Sequence, residues 1–205
     1  MKADKPRIPP GQVVTSKFPV LHVGPIPPFD PQRWDFRIFG LVEEEVVFSY
    51  QEFMSLPKVE IVSDFHCVTR WSRLGNIWEG VSFRELMKHI KPRPEAKYVM
   101  VHSDGGYTTN LPLLPQGSCS HRDPEGKESL LDDDVLFAYG HDGRDLTPEH
   151  GWPLRLVVPK RYAWKSAKWV RGLEFMEDDR PGYWEQRGYH NDGDPWKEER
   201  YANQR

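Results

Sequence analysis

The sequence predicts an α+β domain, and three observations point there. Apolar residues alternate or cluster over many stretches of only four to eight residues, the length of strands. Two short windows carry a helix-opening serine with a glutamate three residues on, Ser49/Glu52 and Ser82/Glu85. The strands and these helices follow no regular βαβ alternation, and 19 prolines in 205 residues favour long ordered loops over a helical bundle.

Each element has its own justification. Residues 1–33 hold Pro9-Pro10, Pro25, Pro27-Pro28 and Pro31. They read as an extended arm lying on the body, with Phe18, Val20, Leu21 and Val23 as its apolar anchors. Trp34, Phe36 and Ile38 alternate with Asp35 and Arg37, the period of a half-buried strand ending at Gly40, and 46–48 is a second short strand. The first capping box predicts a helix over 50–56, stopped by Pro57. Val59, Ile61, Phe65 and Val68 mark a buried strand running into Cys67, after which 72–75 reads as a loop. The second box opens a helix with Leu86, Met87 and Ile90 on one face. Strands follow at 98–101 and 107–113 around a Gly105-Gly106 turn, then at 136–139, 154–158 and 169–175. Residues 115–129 are polar, with Gly117, Pro124 and Gly126, and read as a surface loop. Thr147-Pro148-Glu149 opens one helical turn. The tail from 177 to 205 is charged but rich in tyrosine and tryptophan, unlike a disordered segment, so it is expected to pack on the body. The chain thus divides into an arm (1–33), a domain (34–176) and an extension (177–205).

Composition excludes several functions. A net charge of −3 predicts no general attraction to nucleic acid or to anionic membranes. No apolar run approaches a membrane span, and none follows Met1-Lys2-Ala3-Asp4-Lys5, so a cytoplasmic location is expected. Two cysteines in unlike surroundings, Cys67 and Cys119, make no disulfide framework.

Two stretches carry chemistry. In Asp64-Phe65-His66-Cys67-Val68-Thr69-Arg70-Trp71 a thiol stands at the end of a buried strand beside His66 and Arg70. Nearby positive charge would stabilise its thiolate, which suits a nucleophile or a soft-metal ligand. A small buried hydrophobe is the plainer use of a free cysteine. The second stretch runs from His150 to Trp169. Arg155 sits inside an apolar strand and calls for an anionic partner. Lys165, Ser166 and Lys168 occupy a turn where ammonium and backbone N–H groups can meet a phosphate, unless they form only a solvated basic face. Aromatic residues interleaved with Lys160, Arg161 and Arg171 resemble a nucleic-acid stacking platform, which the acidic chain opposes. Cys119 and His121 invite a zinc reading, but no zinc-ligand spacing accompanies them.

Taken together, Phe65-His66-Cys67-Val68-x-x-Trp71, Trp78-x-Gly80-Val81, Gly151-x-Pro153-Leu154-Arg155-x-Val157-Val158-Pro159 and Lys165-Ser166-Ala167-Lys168-Trp169 resemble the sulfite oxidase family of molybdenum enzymes. The nearest branch is the small single-domain oxidoreductases related to the catalytic subunit of the periplasmic methionine sulfoxide reductase. The resemblance covers roughly residues 18–176. It implies the sulfite-oxidase-type molybdopterin-binding fold and one pyranopterin cofactor, whose dithiolene and one cysteine thiolate hold molybdenum.

By that resemblance Cys67 is the metal ligand. Ser103 is a pterin contact, His150 another cofactor contact and Arg155 a phosphate-region arginine. Ser166, Ala167 and Lys168, with Lys165, form the phosphate turn, and Leu21 and His22 fall near further pterin contacts. His66, Arg70 and His102 are candidates for the substrate side. The expected activity is oxygen-atom transfer to or from a small substrate, either S- or N-oxide reduction or sulfite oxidation, fed by an unidentified electron-transfer partner. Arg70, where the reductase branch tends to have a small residue, is a candidate oxyanion contact. A rival reading keeps the fold without catalysis and binds a phosphorylated ligand through the 155–168 turn.

Overall fold

A computed structural model of the chain describes residues 6–113 and 130–203. In chain order its strands are β1 (Val13–Val14), β2 (Asp35–Gly40), β3 (Val46–Ser49), β4 (Val59–His66), β5 (Trp71–Ser82), β6 (Tyr98–Ser103), β7 (Thr108–Pro112), β8 (Leu136–His141), β9 (Arg144–Asp145), β10 (Arg155–Val157) and β11 (Val170–Met176). Two short helices, α1 (Tyr50–Met54) and α2 (Phe83–Leu86), and several 3-10 turns complete it. One sheet orders β1-β5-β8-β10, with β4 also on β5 and β9 on β8; the other orders β3-β2-β11-β6-β7. Mixed sheets with few short helices are the α+β class the sequence predicts.

Both helices start where the capping boxes place them. The Ser49 hydroxyl accepts the Glu52 N–H at 3.3 Å and the Glu52 carboxylate accepts the Ser49 N–H at 2.8 Å. The Ser82 hydroxyl accepts the Glu85 N–H at 3.1 Å. The largest departure from the sequence reading is β5. The loop expected at 72–75 is instead part of a twelve-residue strand. Antiparallel β4 takes one edge of it, while β1 and β8 share the other edge at its two ends. Pairing on both edges overrides the polar composition. Asn76, fully buried, donates to the carbonyls of Ser63 and Arg73 at 3.1 and 2.8 Å.

The large core lies between the sheets, with Phe36, Val101 and Leu173 from one and Val81, Phe137 and Leu156 from the other. Strand alternation gives the first sheet a second buried face. Leu136, Ala138 and Val157 point there, joining Phe65 and Trp78. That face is covered by the arm, whose Phe18 packs edge-on to Phe65 and Trp78 at 5.7 and 5.9 Å. β1 fixes the arm to β5: Val13 N–H donates to the Arg70 carbonyl at 2.8 Å and Thr15 N–H to that of Ser72 at 2.9 Å. The polar loop at 115–129, with Cys119 and His121, lies outside the described residues.

Candidate active site

β4 and β5 are joined by a tight hairpin, and Cys67 is its first residue. The Cys67 N–H donates to the Trp71 carbonyl at 2.9 Å, and the Arg70 N–H donates to the Cys67 carbonyl at 3.0 Å. Closing this turn puts Arg70 in the left-handed region at φ 73°. The arm adds a third tie, since Gln12 Nε2 donates to the Cys67 carbonyl at 3.1 Å.

The thiol faces a cavity of about 320 Å³ between the arm, this hairpin, the 150–169 stretch and the C-terminal extension. Strand period 2 decides which neighbours share it. Phe65 and Cys67 line the cavity, whereas His66 points to the other side, where Nδ1 meets Ser72 Oγ at 2.8 Å and the ring packs on Trp196. Burial drives the His66 pKa down to about 4, so it stays neutral. The thiol is therefore not assisted by the His66 and Arg70 charges that the sequence suggests. Its hydrogen-bond donor is the Thr69 hydroxyl, 3.1 Å from Sγ. Burial raises the Cys67 pKa, outweighing Thr69 and the nearby Arg200.

The cationic part of the cavity comes from β10 and the turn after it. Arg155 shares the Val157 face and lies fully buried among rings, its guanidinium 5.0 Å from the centre of Phe65 and 5.4 Å from that of Trp78. Among the described residues no carboxylate pairs with it. It donates to the carbonyls of His150 and Ser166 at 3.0 and 3.2 Å, and its Nε–H is buried without a partner. Burial pulls its pKa down to about 9, still charged at neutral pH. Lys168 is likewise held by carbonyls, those of Leu21 at 2.9 Å and Glu149 at 2.5 Å. Burial, with Arg155 adding to it, lowers the Lys168 pKa to about 7. Gly151, at φ 112°, lets these groups close up: a Cβ there would lie 2.9 Å from the Arg155 Cβ.

Leu21, His22, His150, Ser166 and Ala167 also line the cavity. Ser166 does so with its hydroxyl spent on the Val158 N–H at 3.0 Å. His150 stacks on Phe18 with centroids 4.2 Å apart and holds it through Nε2, 3.0 Å from the Phe18 carbonyl. Since that nitrogen must donate, Nδ1 accepts from the Thr147 hydroxyl at 2.9 Å.

Besides His66, four candidates from the sequence are placed elsewhere. Lys165 turns away from Ser166 at the end of a 3-10 turn. It is fully buried, 2.6 Å from Glu185 Oε1 and donating to the Asn110 carbonyl at 2.9 Å. Ser103 is not among the lining residues: the Gly105-Gly106 turn folds Tyr107 back, and that ring takes the place at the wall. Arg70 is exposed, its Nη1 beside Gly11 of the arm. His102 pairs with Glu174 at 3.0 Å, away from the cavity. Trp164, one of the rings of the stacking-platform reading, lines it instead, with Thr69, Trp184 and Tyr189, which the sequence reading did not assign to the site. The aromatic content of the tail was the one signal for the last two.

This donor set fits a molybdopterin. A soft sulfur suits molybdenum. Arg155, short of an acceptor at Nε, and Lys168 suit a phosphate, and the lining contains no carboxylate to repel one. The oxidoreductase molybdopterin binding domain family matches residues 23–184. The chain belongs to this family. It is an oxidoreductase that uses a molybdenum–molybdopterin cofactor. Over 197 residues it is 43% identical to the uncharacterized oxidoreductase YuiH of Bacillus subtilis, covering 96% of this chain and 92% of that one. It is 29% identical to the protein-methionine-sulfoxide reductase catalytic subunit MsrP of Campylobacter jejuni, covering 77% of this chain but 54% of that one. The chain thus spans about half the length of that reductase subunit. The sulfane dehydrogenase SoxCD from Paracoccus pantotrophus matches with a TM-score of 0.63 over 78% of this chain and 42% of that one. At 22% identity this likeness shows the fold. No described helix is long and apolar enough to cross a membrane.

Proposed function

We propose that the chain reduces a small S- or N-oxide, with Cys67 as the protein ligand to molybdenum. One observation carries the reading: Cys67 Sγ faces a cavity whose cations, Arg155 and Lys168, are tethered to carbonyls and whose remaining walls are largely aromatic. When bound there, the cofactor supplies two-electron oxygen-atom transfer at molybdenum. The protein's share is binding, orientation and exclusion of water. Arg155 and Lys168 hold the phosphate, the arm carbonyl of Leu21 positions Lys168, and the Thr69 hydroxyl orients Sγ. The substrate balance is an oxide plus two electrons and two protons giving the reduced compound and water, with electrons from a separate donor protein.

Sulfite oxidation is the less favoured direction. A small dianion needs a cation of its own in the cavity. Arg70, the candidate for that role, is exposed and outside the lining. The relationship to methionine sulfoxide reductase subunits also supports reduction.

The test is metal and pterin content of protein made in a molybdenum-replete, cofactor-competent host, then turnover of dimethyl sulfoxide and trimethylamine N-oxide with reduced methyl viologen. The expected result is about one molybdenum per chain, turnover of an oxide, and loss of both in Cys67→Ser. Full molybdenum retention in Cys67→Ser would remove the thiolate from the site. Sulfite turnover with no oxide turnover would reverse the direction.

A further inference from the structure

We propose that Trp184 and Tyr189 of the C-terminal extension, with Tyr107 and Trp164, form the face of the cavity that selects substrate by a neutral, apolar body. This rests on the oxygen-transfer reading above. The cavity has two larger ring networks besides the His22–Trp169 pair, which lies beside Lys168. Phe18, Phe65 and His150 surround Arg155 and belong to the cationic end. A second chain of contacts runs from Tyr107 through Tyr183 and Trp184 to Tyr189 and Trp164, with successive centroids 5.6, 5.3, 4.8 and 5.1 Å apart. With the phosphate held at Arg155 and Lys168 and the metal at Cys67, the second network is the wall left to a substrate.

The wall is built rigidly, although the extension forms no strand among the described residues. Glu185 accepts from Trp164 Nε1 at 2.9 Å and pairs with buried Lys165 at 2.6 Å. Gly193 lies under the Trp164 ring, where a Cβ would come within 2.8 Å of it, and its carbonyl accepts the Tyr162 N–H at 2.8 Å. Farther on, Arg200 donates to the Val68 carbonyl of the Cys67 hairpin at 2.5 Å. Tyr189 sits between these fixings. Tyr189 also lies beyond the family match, which ends at residue 184, so the selecting face is partly this branch's own.

Its chemistry is apolar and neutral. Lys165 and Glu185 neutralise each other behind it, leaving neither sign free for a charged substrate. Rings without a free charge favour the faces and edges of an aryl group and the sulfur of a thioether or sulfoxide. The class is therefore an uncharged organosulfur oxide whose second substituent is bulky.

The experiment uses holoenzyme carrying Trp184→Leu, Tyr189→Leu or, as a control ring outside the cavity and beside His102, Phe39→Leu. Molybdenum and pterin content, and KM and kcat for methyl phenyl sulfoxide and dimethyl sulfoxide, are measured with reduced methyl viologen. Methyl phenyl sulfide is titrated against tryptophan fluorescence as a readout independent of turnover. Losing one ring contact of about 1.4 kcal/mol raises KM for the aryl sulfoxide and Kd for the aryl sulfide about tenfold. The expected pattern leaves dimethyl sulfoxide KM, metal content and Phe39→Leu nearly unmoved. Equal shifts for both sulfoxides, no shift for either, or loss of pterin would overturn the proposal, the last by making the wall a cofactor contact. If wild-type holoenzyme reduces neither sulfoxide nor trimethylamine N-oxide, the oxide-reduction reading fails, while the sulfide titration still decides the wall.

Discussion

The 163–168 turn sends two lysines to opposite sides, and the two regions they serve are held by different physics. On the β10 side, Lys168 and Arg155 are tethered by backbone carbonyls. A carbonyl orients a cation without cancelling its charge, so that charge remains for an anionic ligand. On the C-terminal side, Lys165 is paired with the Glu185 carboxylate at 2.6 Å in a fully buried site. That charge is cancelled and the pair fastens the extension. Two cations of one basic turn thus split into a proposed binding role and a structural one, and the partner's chemistry tells them apart.

The strongest way to break this comparison is to remove one partner from each side. Glu185→Gln strands a buried ammonium and is expected to cost about 3–5 kcal/mol of stability. Arg155→Met removes a buried charge that lacks a carboxylate, so its effect on the apoprotein should stay within about 1.5 kcal/mol in either direction. Arg155→Met should nevertheless lose pterin on purification, while Glu185→Gln holoenzyme that survives folding should keep it. Urea unfolding of the apoproteins, with pterin release from the holoproteins, measures both. Comparable destabilisation in the two variants would erase the distinction.

A second prediction sharpens it through pH. Lys168 has its pKa lowered to about 7, so it is charged below that value and loses its charge as pH rises through it. Sulfate, which stays fully ionised, should bind the apoprotein several-fold more weakly at pH 8 than at pH 6 by calorimetry. Lys168→Gln should flatten that dependence, whereas substitution of Lys165 should not.

The smallest effect concerns Arg70, at φ 73° on the hairpin that carries Cys67. Arg70→Gly relieves a left-handed backbone but loosens the unfolded chain, so stability should change by no more than about 1 kcal/mol. With Arg70 outside the cavity lining, KM for an oxide should also hold. A tenfold rise in KM would return Arg70 to the substrate side.

Much of this protein is legible in its residues. The capping serines mark both helix starts, apolar alternation marks most strands, and the motifs around Cys67, Arg155 and 165–169 point to the family. Local chemistry suffices there, because a cap and a strand period are set within a few residues. Period 2 also contains the fact that Cys67 and Phe65 share a face while His66 does not, although the sequence reading grouped all three.

Tertiary structure decided the rest. β5 was hidden because Ser72, Arg73, Gly75 and Asn76 look like a loop until neighbours occupy both edges. Lys165 and Lys168 are three residues apart and chemically alike. Only a glutamate twenty positions on, and a carbonyl from an arm nearly 150 residues back, separate their roles. Tyr189 carries no motif, and it reaches the cavity because the buried Lys165–Glu185 pair and the Arg200 contact fix the extension on either side of it. A residue's type sets what it can bind, but whether its charge or ring faces a ligand depends on partners distant in sequence.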